Sequence, residues 1–266
     1  MTKKIGFVGF GNMAKAMMGG MLQSGMVEPE NIIASAKRDS SIQAIKDDYS
    51  INVTSDNREV AKFSDILFIA VKPDQYELVL HEMRDTIFDQ IIITIAAGIT
   101  TESVAEMVGK EVKVVRTMPN TPSLVGEGMT AYCVKNISQV EKELVHALFE
   151  SFGKAEEIEE SLMDAIPAVA GSSPAYVFMM IEALADGGVL QGLTRKQAYQ
   201  LAAQAVYGAA KMVLETDMHP GALKDQVCSP GGATIEAVST LEKTGFRGSI
   251  LTAMEKCGEK TKKLGN

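Results

Sequence analysis

A glycine-rich turn that directly follows the first apolar run is the feature that most constrains this chain. The run Lys4–Val8 leads into a G-x-G-x-x-A pattern at Gly9, Gly11 and Ala14, and a helical pattern begins within it. In such a turn Gly9 permits the sharp bend, Gly11 lets the backbone approach a pyrophosphate, and Ala14 lets the helix pack closely on the strand. The helix N-terminus stabilises the anion. The pattern predicts a dinucleotide site, and the alternative is an ordinary strand-to-helix turn.

Apolar runs and helical patterns alternate through about the first 150 residues, which is typical of parallel βαβ units. The runs are rich in Ile and Val and nearly continuous, as expected for strands buried on both faces. We therefore predict an α/β fold with a Rossmann-type, doubly wound, mostly parallel sheet. The predicted strands are Lys4–Val8, Asn31–Ser35, Asp65–Val71, Gln90–Ile95 and Lys113–Met118, with weaker ones at Thr130–Val134 and Ala155–Ile158. The predicted helices in this region include Asn12–Ser24, Asp74–Phe88 and Ser138–Phe152.

The character of the chain changes after about residue 160, where strand patterns stop and only helical patterns follow. The 266 residues suffice for two domains of about 150 residues each. We predict a dinucleotide-binding domain over 1–160 and an all-α domain over 161–266, with a frayed end at Gly265-Asn266. The helical half is rich in Ala, Gly and Met and would expose a large apolar patch in a monomer, so we expect at least a homodimer. The predicted helices are Pro174–Gln191, loosened at Gly187-Gly188, then Thr194–Thr216, Pro220–Val227, Ala233–Glu242 and Arg247–Lys263.

Charge and composition exclude several classes of function. The net charge of −8 disfavours binding to nucleic acid or to an anionic membrane, because such contacts need clustered Lys and Arg. The 3 cysteines are far apart, and no C-x-x-C or H-E-x-x-H motif occurs, so we expect no metal site. The same cysteine usage fits a reducing compartment, by default the cytoplasm. No uncharged apolar stretch of about 18 residues occurs, so we expect no membrane span.

The end of the second predicted strand bears on which nucleotide binds. NAD-specific sites usually carry Asp or Glu about 20 residues after the glycines, where the carboxylate binds the ribose hydroxyls. Here the strand ends in Ser35-Ala36-Lys37-Arg38, which offers a hydroxyl and two cations instead. This pattern favours the 2′-phosphate of NADPH, with NADH still possible as the cofactor. The alternative is that Lys37 and Arg38 are merely solvated at the start of a helix.

Other short motifs lie at predicted strand ends, where open α/β sheets bind their ligands. Ala70-Val71-Lys72-Pro73 and Ala96-Ala97-Gly98 are both in such positions. Lys72 is a catalytic amine, a phosphate contact or simply a lysine at the rim of the cofactor site. The segment Arg116–Pro122, made rigid by two prolines, is either a wall of the nicotinamide pocket or a structural turn.

Two glycine-containing loops in the second half of the chain, Gly171–Ala175 and Cys228–Thr234, each lie at the start of a predicted helix. Backbone N–H groups at such helix starts form anion sites, and a substrate carboxylate would fit there. The alternative is that both loops are ordinary helix N-caps.

Several of these segments, taken together, match the motifs of one enzyme family in order and spacing over nearly the whole chain. They are Gly6–Met13, Ala70–Pro73, Met118–Pro122, Ser172–Phe178 and, most specifically, His219–Ile235 with its S-P-G-G-x-T-I loop. The sequence resembles the pyrroline-5-carboxylate reductases, which catalyse the last step of proline biosynthesis. One departure is Ser173, which adds a side chain where the family usually has the second glycine of G-S-G-P.

The resemblance implies NADPH-dependent reduction of L-1-pyrroline-5-carboxylate to L-proline by hydride transfer to a cyclic imine. It implies a homodimer with interlocked helical domains, or a ring of such dimers. A protonated imine is already electrophilic, so the protein mainly has to orient the reactants. The resemblance also implies that Thr234, the predicted catalytic residue, hydrogen-bonds the ring nitrogen while the substrate carboxylate lies against the Ser229–Thr234 loop.

The resemblance, with the cations after the second strand, implies two sets of site residues. The expected cofactor contacts are Val8, Gly9, Phe10, Gly11, Asn12, Met13, Ser35, Lys37, Arg38, Asn57, Ala70, Val71, Lys72, Pro73, Ile95, Ala96 and Ala97. The expected substrate contacts are Glu160, Gln226, Ser229, Gly231, Gly232, Ala233 and Thr234.

Two other functions fit part of the pattern. A β-hydroxyacid dehydrogenase shares the plan of a dinucleotide domain followed by helices and uses a helix-borne Lys, but Lys211 and Lys224 do not lie in a recognisable motif of that kind. A non-catalytic NADPH-sensing protein would have the same fold and would need no substrate loop. The complete S-P-G-G-A-T-I segment argues against it.

Overall fold

An eight-stranded sheet forms the framework of the first part of the chain in the computed structural model, which describes residues 2–264. The strands are β1 (Ile5–Val8), β2 (Ile32–Ser35), β3 (Asn52–Thr54), β4 (Ile66–Ile69), β5 (Ile91–Thr94), β6 (Lys113–Met118), β7 (Gly128–Lys135) and β8 (Gly153–Glu157). Their order is β3-β2-β1-β4-β5-β6-β7-β8, and neighbouring strands are parallel except for the antiparallel pair β6 and β7. The predicted doubly wound, mostly parallel sheet is confirmed.

Helices connect these strands, as the alternating pattern predicts. They are α1 (Asn12–Gln23), α2 (Asp39–Asp48), α3 (Asn57–Phe63), α4 (Tyr76–Met83), α5 (Thr101–Val108) and α6 (Gln139–Glu150). Helix α6 begins at a capping box, in which the Ser138 hydroxyl accepts from the Glu141 amide and the Glu141 carboxylate accepts from the Ser138 amide. Short 3-10 turns occupy Pro29–Asn31, Pro73–Gln75, Arg84–Thr86, Thr121–Val125 and Glu160–Ala165, and a π-helical turn occupies Pro167–Gly171.

A hydrophobic core lies on each face of the sheet. On one face Met17 of α1 and Phe149 of α6 pack among the buried side chains, and on the other face Leu80 of α4 and Val104 of α5 do so. Every residue of β1, β2, β4 and β5 is buried. This two-sided burial is the reason that the strands read as continuous Ile- and Val-rich runs.

The structure differs from the predicted elements at the outer strand β3 and at the helix that follows β4. Strand β3 is missed because it is three residues long and partly exposed, so it carries no apolar run. The predicted helix Asp74–Phe88 is wrong at both ends. Only Tyr76–Met83 is α-helical, and 3-10 turns at Pro73–Gln75 and Arg84–Thr86 replace its first and last turns.

The chain divides into two compact units, residues 1–172 with 257–266 and residues 173–256. The helices from the second unit onward are α7 (Ser173–Leu190), α8 (Arg195–Thr216), α9 (Pro220–Val227), α10 (Ala233–Lys243) and α11 (Phe246–Leu264), the last of which ends within the first unit. The boundary predicted between residues 160 and 161 stays a prediction, and the predicted frayed end at Gly265-Asn266 lies outside the described residues.

Helices α7 and α8 pack against each other within the second unit. The capping box that starts α8 is confirmed, since Thr194 and Gln197 each accept from the other's backbone amide. The predicted loosening of α7 at Gly187-Gly188 is wrong, because the helix is continuous there. A Cβ at Gly188 would lie 3.1 Å from the Ala198 Cβ, so this glycine allows close contact between the two helices.

The second unit leaves much apolar surface uncovered in the single chain. Among its residues, all of which the structure describes, only Ala185, Ala198 and Ala202 are buried. By contrast, Leu190 of α7 is 87% exposed and Leu214 of α8 is 80% exposed. Soluble monomers rarely expose apolar surface on this scale, so these helices have the character of an interface.

Candidate active site

The Gly9–Met13 turn joins β1 to α1 with the backbone geometry that an anion site requires. Gly9 has a φ of +85°, and a Cβ there would lie 2.8 Å from Val71 Cγ1 and 3.0 Å from the Ala70 carbonyl oxygen. Gly11 is the N-cap of α1, with no side-chain cap and no atom within 4 Å of an added Cβ. Among the described residues the amides of Asn12 and Met13 at the start of α1 have no hydrogen-bond acceptor, so they are free to donate to a pyrophosphate.

Ser35, at the end of β2, is hydrogen-bonded to this turn. Its hydroxyl accepts from the Gly9 amide at 3.3 Å and donates to Asn57 Oδ1 at 2.7 Å. The Asn57 amide group in turn donates to Glu82 Oε2 at 3.2 Å. The structure thus brings together three of the predicted cofactor residues. It places a neutral hydroxyl where NAD-specific sites usually hold a carboxylate.

The two cations that follow β2 are both exposed. Lys37 Nζ donates to Gln75 Oε1 at 3.1 Å, and Arg38 is the N-cap residue of α2. Within residues 2–264 neither cation takes part in an ion pair of the first unit. Neither side chain is therefore held in a direct ion pair with a carboxylate.

The carboxyl ends of β4, β5 and β6 are tied to one another by buried hydroxyl groups. The Tyr76 hydroxyl donates to the Ile69 carbonyl at 2.6 Å and accepts from Thr94 Oγ1 at 2.9 Å, and Thr117 Oγ1 donates to the Thr94 carbonyl at 2.9 Å. Burial raises the pKa of Tyr76 to about 12, so this phenol stays protonated and acts as a structural donor. These bonds hold the predicted contact segments Ala70–Pro73 and Ile95–Ala97 at one edge of the sheet.

Arg116 of β6 is buried, and its charge partners come from the 3-10 turn Glu160–Ala165. One guanidinium nitrogen lies 2.5 Å from Asp164 Oδ1 and another lies 3.7 Å from Glu160 Oε1. The Glu160 carboxylate also accepts from Thr101 N at 2.7 Å and from Thr101 Oγ1 at 2.6 Å, at the first turn of α5. The predicted substrate contact Glu160 is thus engaged by two other elements of the first unit, a role that the sequence analysis misses.

Cys133 lies opposite Arg116 on the neighbouring strand β7. Burial raises the pKa of this thiol to about 11, and the nearby Glu160 carboxylate acts in the same direction. A thiol with so high a pKa is protonated at neutral pH and is a poor nucleophile.

The segment Met118–Pro122 has a structural role. Asn120 is buried, its amide group donates to the Ala170 carbonyl at 3.0 Å, and its Oδ1 accepts from the Met129 amide at 2.8 Å. Asn120 thereby fastens the turn after β6 to the π-helical turn Pro167–Gly171. Of the two interpretations of Arg116–Pro122, these bonds support the structural turn.

The second unit contains the Ser229–Thr234 loop, which begins with a tight β-turn. The Gly232 amide donates to the Ser229 carbonyl at 3.0 Å, and Gly231 has a φ of +67° at the third position of the turn. Pro230 at the second position and a glycine with positive φ at the third are typical of a type II turn. A Cβ at Gly232 would collide with the Ser229 hydroxyl.

The loop ends at the start of helix α10, for which Gly232 is the N-cap without a side-chain cap. Because the Gly232 N–H is already bonded within the turn, the free amide donors at this helix start are those of Ala233, Thr234 and Ile235. They are suited to bind a carboxylate. Gln226, at the end of α9, is exposed and donates to Met218 Sδ at 3.8 Å.

Comparisons with known proteins agree with this architecture. Residues 160–264 match the family described as pyrroline-5-carboxylate reductase dimerisation, and residues 4–98 match the family described as NADP oxidoreductase, coenzyme F420-dependent. The chain is 49% identical to the pyrroline-5-carboxylate reductase of Escherichia coli (strain K12) over 99% of both chains. This chain belongs to the pyrroline-5-carboxylate reductase family.

Other members of the family show the same relationship. The pyrroline-5-carboxylate reductase of Methanosarcina acetivorans is 41% identical over 99% of this chain and 98% of its own. A crystal structure of the Plasmodium falciparum pyrroline carboxylate reductase with NADP bound has a TM-score of 0.90 and 37% identity, covering 99% of this chain and 98% of that one.

The match to the dimerisation family accounts for the exposed apolar surface of α7 and α8, since the chain self-associates through this region. One described segment, Pro167–Leu190, is long and apolar enough to cross a membrane by length and composition alone. It contains Glu182 and Asp186, and only 11% of its most apolar window is buried within the chain. A helix that buries its apolar side against a second copy of the chain has the same length and composition.

Proposed function

We propose that this chain catalyses the reduction of L-1-pyrroline-5-carboxylate to L-proline, the last step of proline biosynthesis, with NADPH as the reductant. The observation that carries the proposal is identity at the 49% level with a pyrroline-5-carboxylate reductase over 99% of both chains. The complete S-P-G-G-A-T-I loop at the start of α10 supports it. That loop is where the substrate carboxylate is expected to bind.

NADPH fits the carboxyl edge of the sheet in the first unit. The open helix start at Gly11 suits a pyrophosphate, and Ser35 with the exposed cations Lys37 and Arg38 suits a 2′-phosphate. NADH remains a possible second cofactor. The proposed cofactor contacts are Val8, Gly9, Phe10, Gly11, Asn12, Met13, Ser35, Lys37, Arg38, Asn57, Ala70, Val71, Lys72, Pro73, Ile95, Ala96 and Ala97.

The chemistry needs orientation more than it needs reactive side chains. When bound, the nicotinamide ring supplies a hydride for the imine carbon. The chain has to hold the cyclic imine in place, and the amides of Ala233 and Thr234 at the start of α10 are suited to bind its carboxylate. The Thr234 hydroxyl would hydrogen-bond the ring nitrogen. The proposed substrate contacts are Glu160, Gln226, Ser229, Gly231, Gly232, Ala233 and Thr234.

We further propose a homodimer as the smallest active assembly, with a ring of dimers as a larger form. The exposed apolar side chains of α7 and α8 and the match to a dimerisation family support this. A cytoplasmic location is also part of the proposal. Its support is that Cys133, Cys228 and Cys257 are all free thiols, as a reducing compartment requires.

An assay of NADPH oxidation with L-1-pyrroline-5-carboxylate tests the activity directly. We expect turnover with the cyclic imine and none with a β-hydroxyacid in the reverse direction, because no helix-borne lysine motif is present to act as acid and base. Proline formation, measured in the same reaction, should equal the NADPH consumed. Turnover of a hydroxyacid alone would contradict the proposal.

A further inference from the structure

Lys37 and Gln75 form a hydrogen bond that joins the two loops on either side of the Gly9 turn. Strands β2 and β4 are the two neighbours of β1 in the sheet and run parallel to it. Lys37 follows β2, and Gln75 ends the 3-10 turn after β4. The Lys37 Nζ donates to Gln75 Oε1 at 3.1 Å. The bond therefore links the loops that border the proposed cofactor site.

Gln75 is the fixed partner in this pair. Its backbone amide donates to the Lys72 carbonyl at 2.9 Å, and Pro73 opens the same turn. The next residue, Tyr76, is fully buried and is hydrogen-bonded to the ends of β4 and β5. Lys37 in contrast is exposed and has a long flexible side chain. The backbone of Gln75 is therefore held in place, and its side chain offers the flexible Lys37 a hydrogen-bond acceptor at this position.

The chemical character of residue 75 decides whether the charge of Lys37 remains available. A glutamine oxygen accepts from the ammonium group without cancelling its charge. A carboxylate at the same place would form an ion pair with Lys37 and would also repel a phosphate group. Lys37 has no direct ion-pair partner among the described residues of the first unit, so an anionic ligand does not have to displace a carboxylate from its ammonium group.

We propose that Gln75 is a positioning residue for cofactor specificity, because its neutral carboxamide holds the Lys37 ammonium, which has no direct ion-pair partner, on the loop that borders the Gly9 turn and thereby favours a dinucleotide that carries a 2′-phosphate. The inference rests on the proposed function and extends it to a residue outside the glycine turn and the strand-end motifs. Gln75 need not touch the dinucleotide, since it acts through the position and charge of Lys37.

Equilibrium binding of NADPH and NADH to the full-length protein, measured by fluorescence titration at fixed ionic strength, tests this role. We expect Gln75→Glu to weaken NADPH binding about tenfold and to change NADH binding by less than about twofold, since only NADPH carries the 2′-phosphate. Gln75→Ala removes the acceptor without adding charge and should weaken NADPH binding about twofold to threefold. Gln139→Glu adds the same charge at an exposed position on α6 and should change neither affinity.

The ionic strength supplies a second readout, because screening weakens contacts between exposed charges. Added salt should reduce the NADPH preference of the wild type more than that of Gln75→Glu. Equal weakening of both cofactors by Gln75→Glu, or no change in either, would overturn the inference. If the wild type reduces the cyclic imine and Gln75→Glu has the same cofactor preference as the wild type, the inference about Gln75 is wrong and the proposed function stands. A wild type that binds neither dinucleotide would overturn the proposed function as well.

Discussion

The carboxylate of Glu160 accepts hydrogen bonds from both the backbone amide and the hydroxyl of Thr101, at 2.7 and 2.6 Å. Thr101 is the first residue of α5, so Glu160 supplies a negative charge and two acceptors at the positive end of that helix. The same carboxylate lies 3.7 Å from the buried guanidinium of Arg116. A residue expected to contact substrate therefore also fastens three elements of the first unit to one another.

Replacing this carboxylate should reduce stability. We expect Glu160→Gln to lower the free energy of unfolding by about 1–2 kcal/mol, because one of the two acceptors becomes a donor and the negative charge is lost. Thermal unfolding measures this, with the exposed neighbour Glu159→Gln as the matched control. Unchanged stability together with a raised KM for the cyclic imine would instead assign Glu160 to substrate binding alone.

Removal of the Thr234 hydroxyl should impair the reaction without impairing cofactor binding. We expect Thr234→Ala to lower kcat/KM for the imine, because the ring nitrogen loses a hydrogen-bond partner. The decrease should correspond to a loss of about 1–3 kcal/mol of transition-state stabilisation. The NADPH affinity should stay the same. Thr234→Ser, which keeps the hydroxyl, should retain most of the activity. If the Ser and Ala variants lose activity equally, the hydroxyl does not serve the ring nitrogen.

The turn before α10 should tolerate no side chain at Gly232. Even Gly232→Ala places a Cβ against the Ser229 hydroxyl, and Gly232→Val adds further bulk. We expect both to raise the substrate KM sharply while NADPH binding stays nearly intact. Gly248→Val, at a helical glycine with open space around it, serves as the control. Unchanged KM and kcat in Gly232→Val would show that the substrate does not lie against this loop.

The exposed cations after β2 should determine much of the preference for NADPH. We expect the double variant Lys37→Ala with Arg38→Ala to have a lower kcat/KM for NADPH and an unchanged kcat/KM for NADH. The preference for NADPH over NADH should therefore become smaller. Lys46→Ala, an exposed lysine in the last turn of α2, provides a control for the loss of charge. A wild-type enzyme that prefers NADH by about tenfold would contradict the assignment of these cations.

Glu141 should make the stability of the first unit sensitive to acid. Burial acts to raise the pKa of this carboxyl, but hydrogen bonds from Lys113 and Ser138 outweigh it and lower the pKa to about 2. A lowered pKa means that the stabilisation is complete above the ordinary value of 4.5 and is lost as the pH falls toward 2. Unfolding measured from pH 6 to pH 2 should show a smaller decline for Glu141→Gln than for the wild type. Parallel declines would show that other carboxylates dominate.

The parts of the fold and site that could be predicted are those encoded by short-range patterns. The G-x-G-x-x-A turn at Gly9 lies in consecutive residues, and so does the Thr194 capping box. Arg116 is different, because its partners Glu160 and Asp164 are more than forty residues away and join it only through tertiary structure. An arginine within an apolar strand signals a buried partner but does not identify it.

Two further features were not predicted, because they also depend on tertiary structure. Gly187-Gly188 favours a break when intrinsic helix propensity alone is considered, whereas packing of Gly188 against Ala198 keeps α7 continuous. The role of Gln75 depends on β2 and β4 lying on either side of β1. That neighbour relationship belongs to the sheet order and is absent from any local sequence pattern.

The exposed leucines of α7 and α8 affect the conformational stability of the chain. If the second unit buries Leu190 and Leu214 only upon pairing, then the law of mass action enters the folding equilibrium, and dilution acts on this protein as a mild denaturant does on a monomer. Its melting temperature then depends on the protein concentration. The expression level of the protein in a cell then determines the stability of each folded chain.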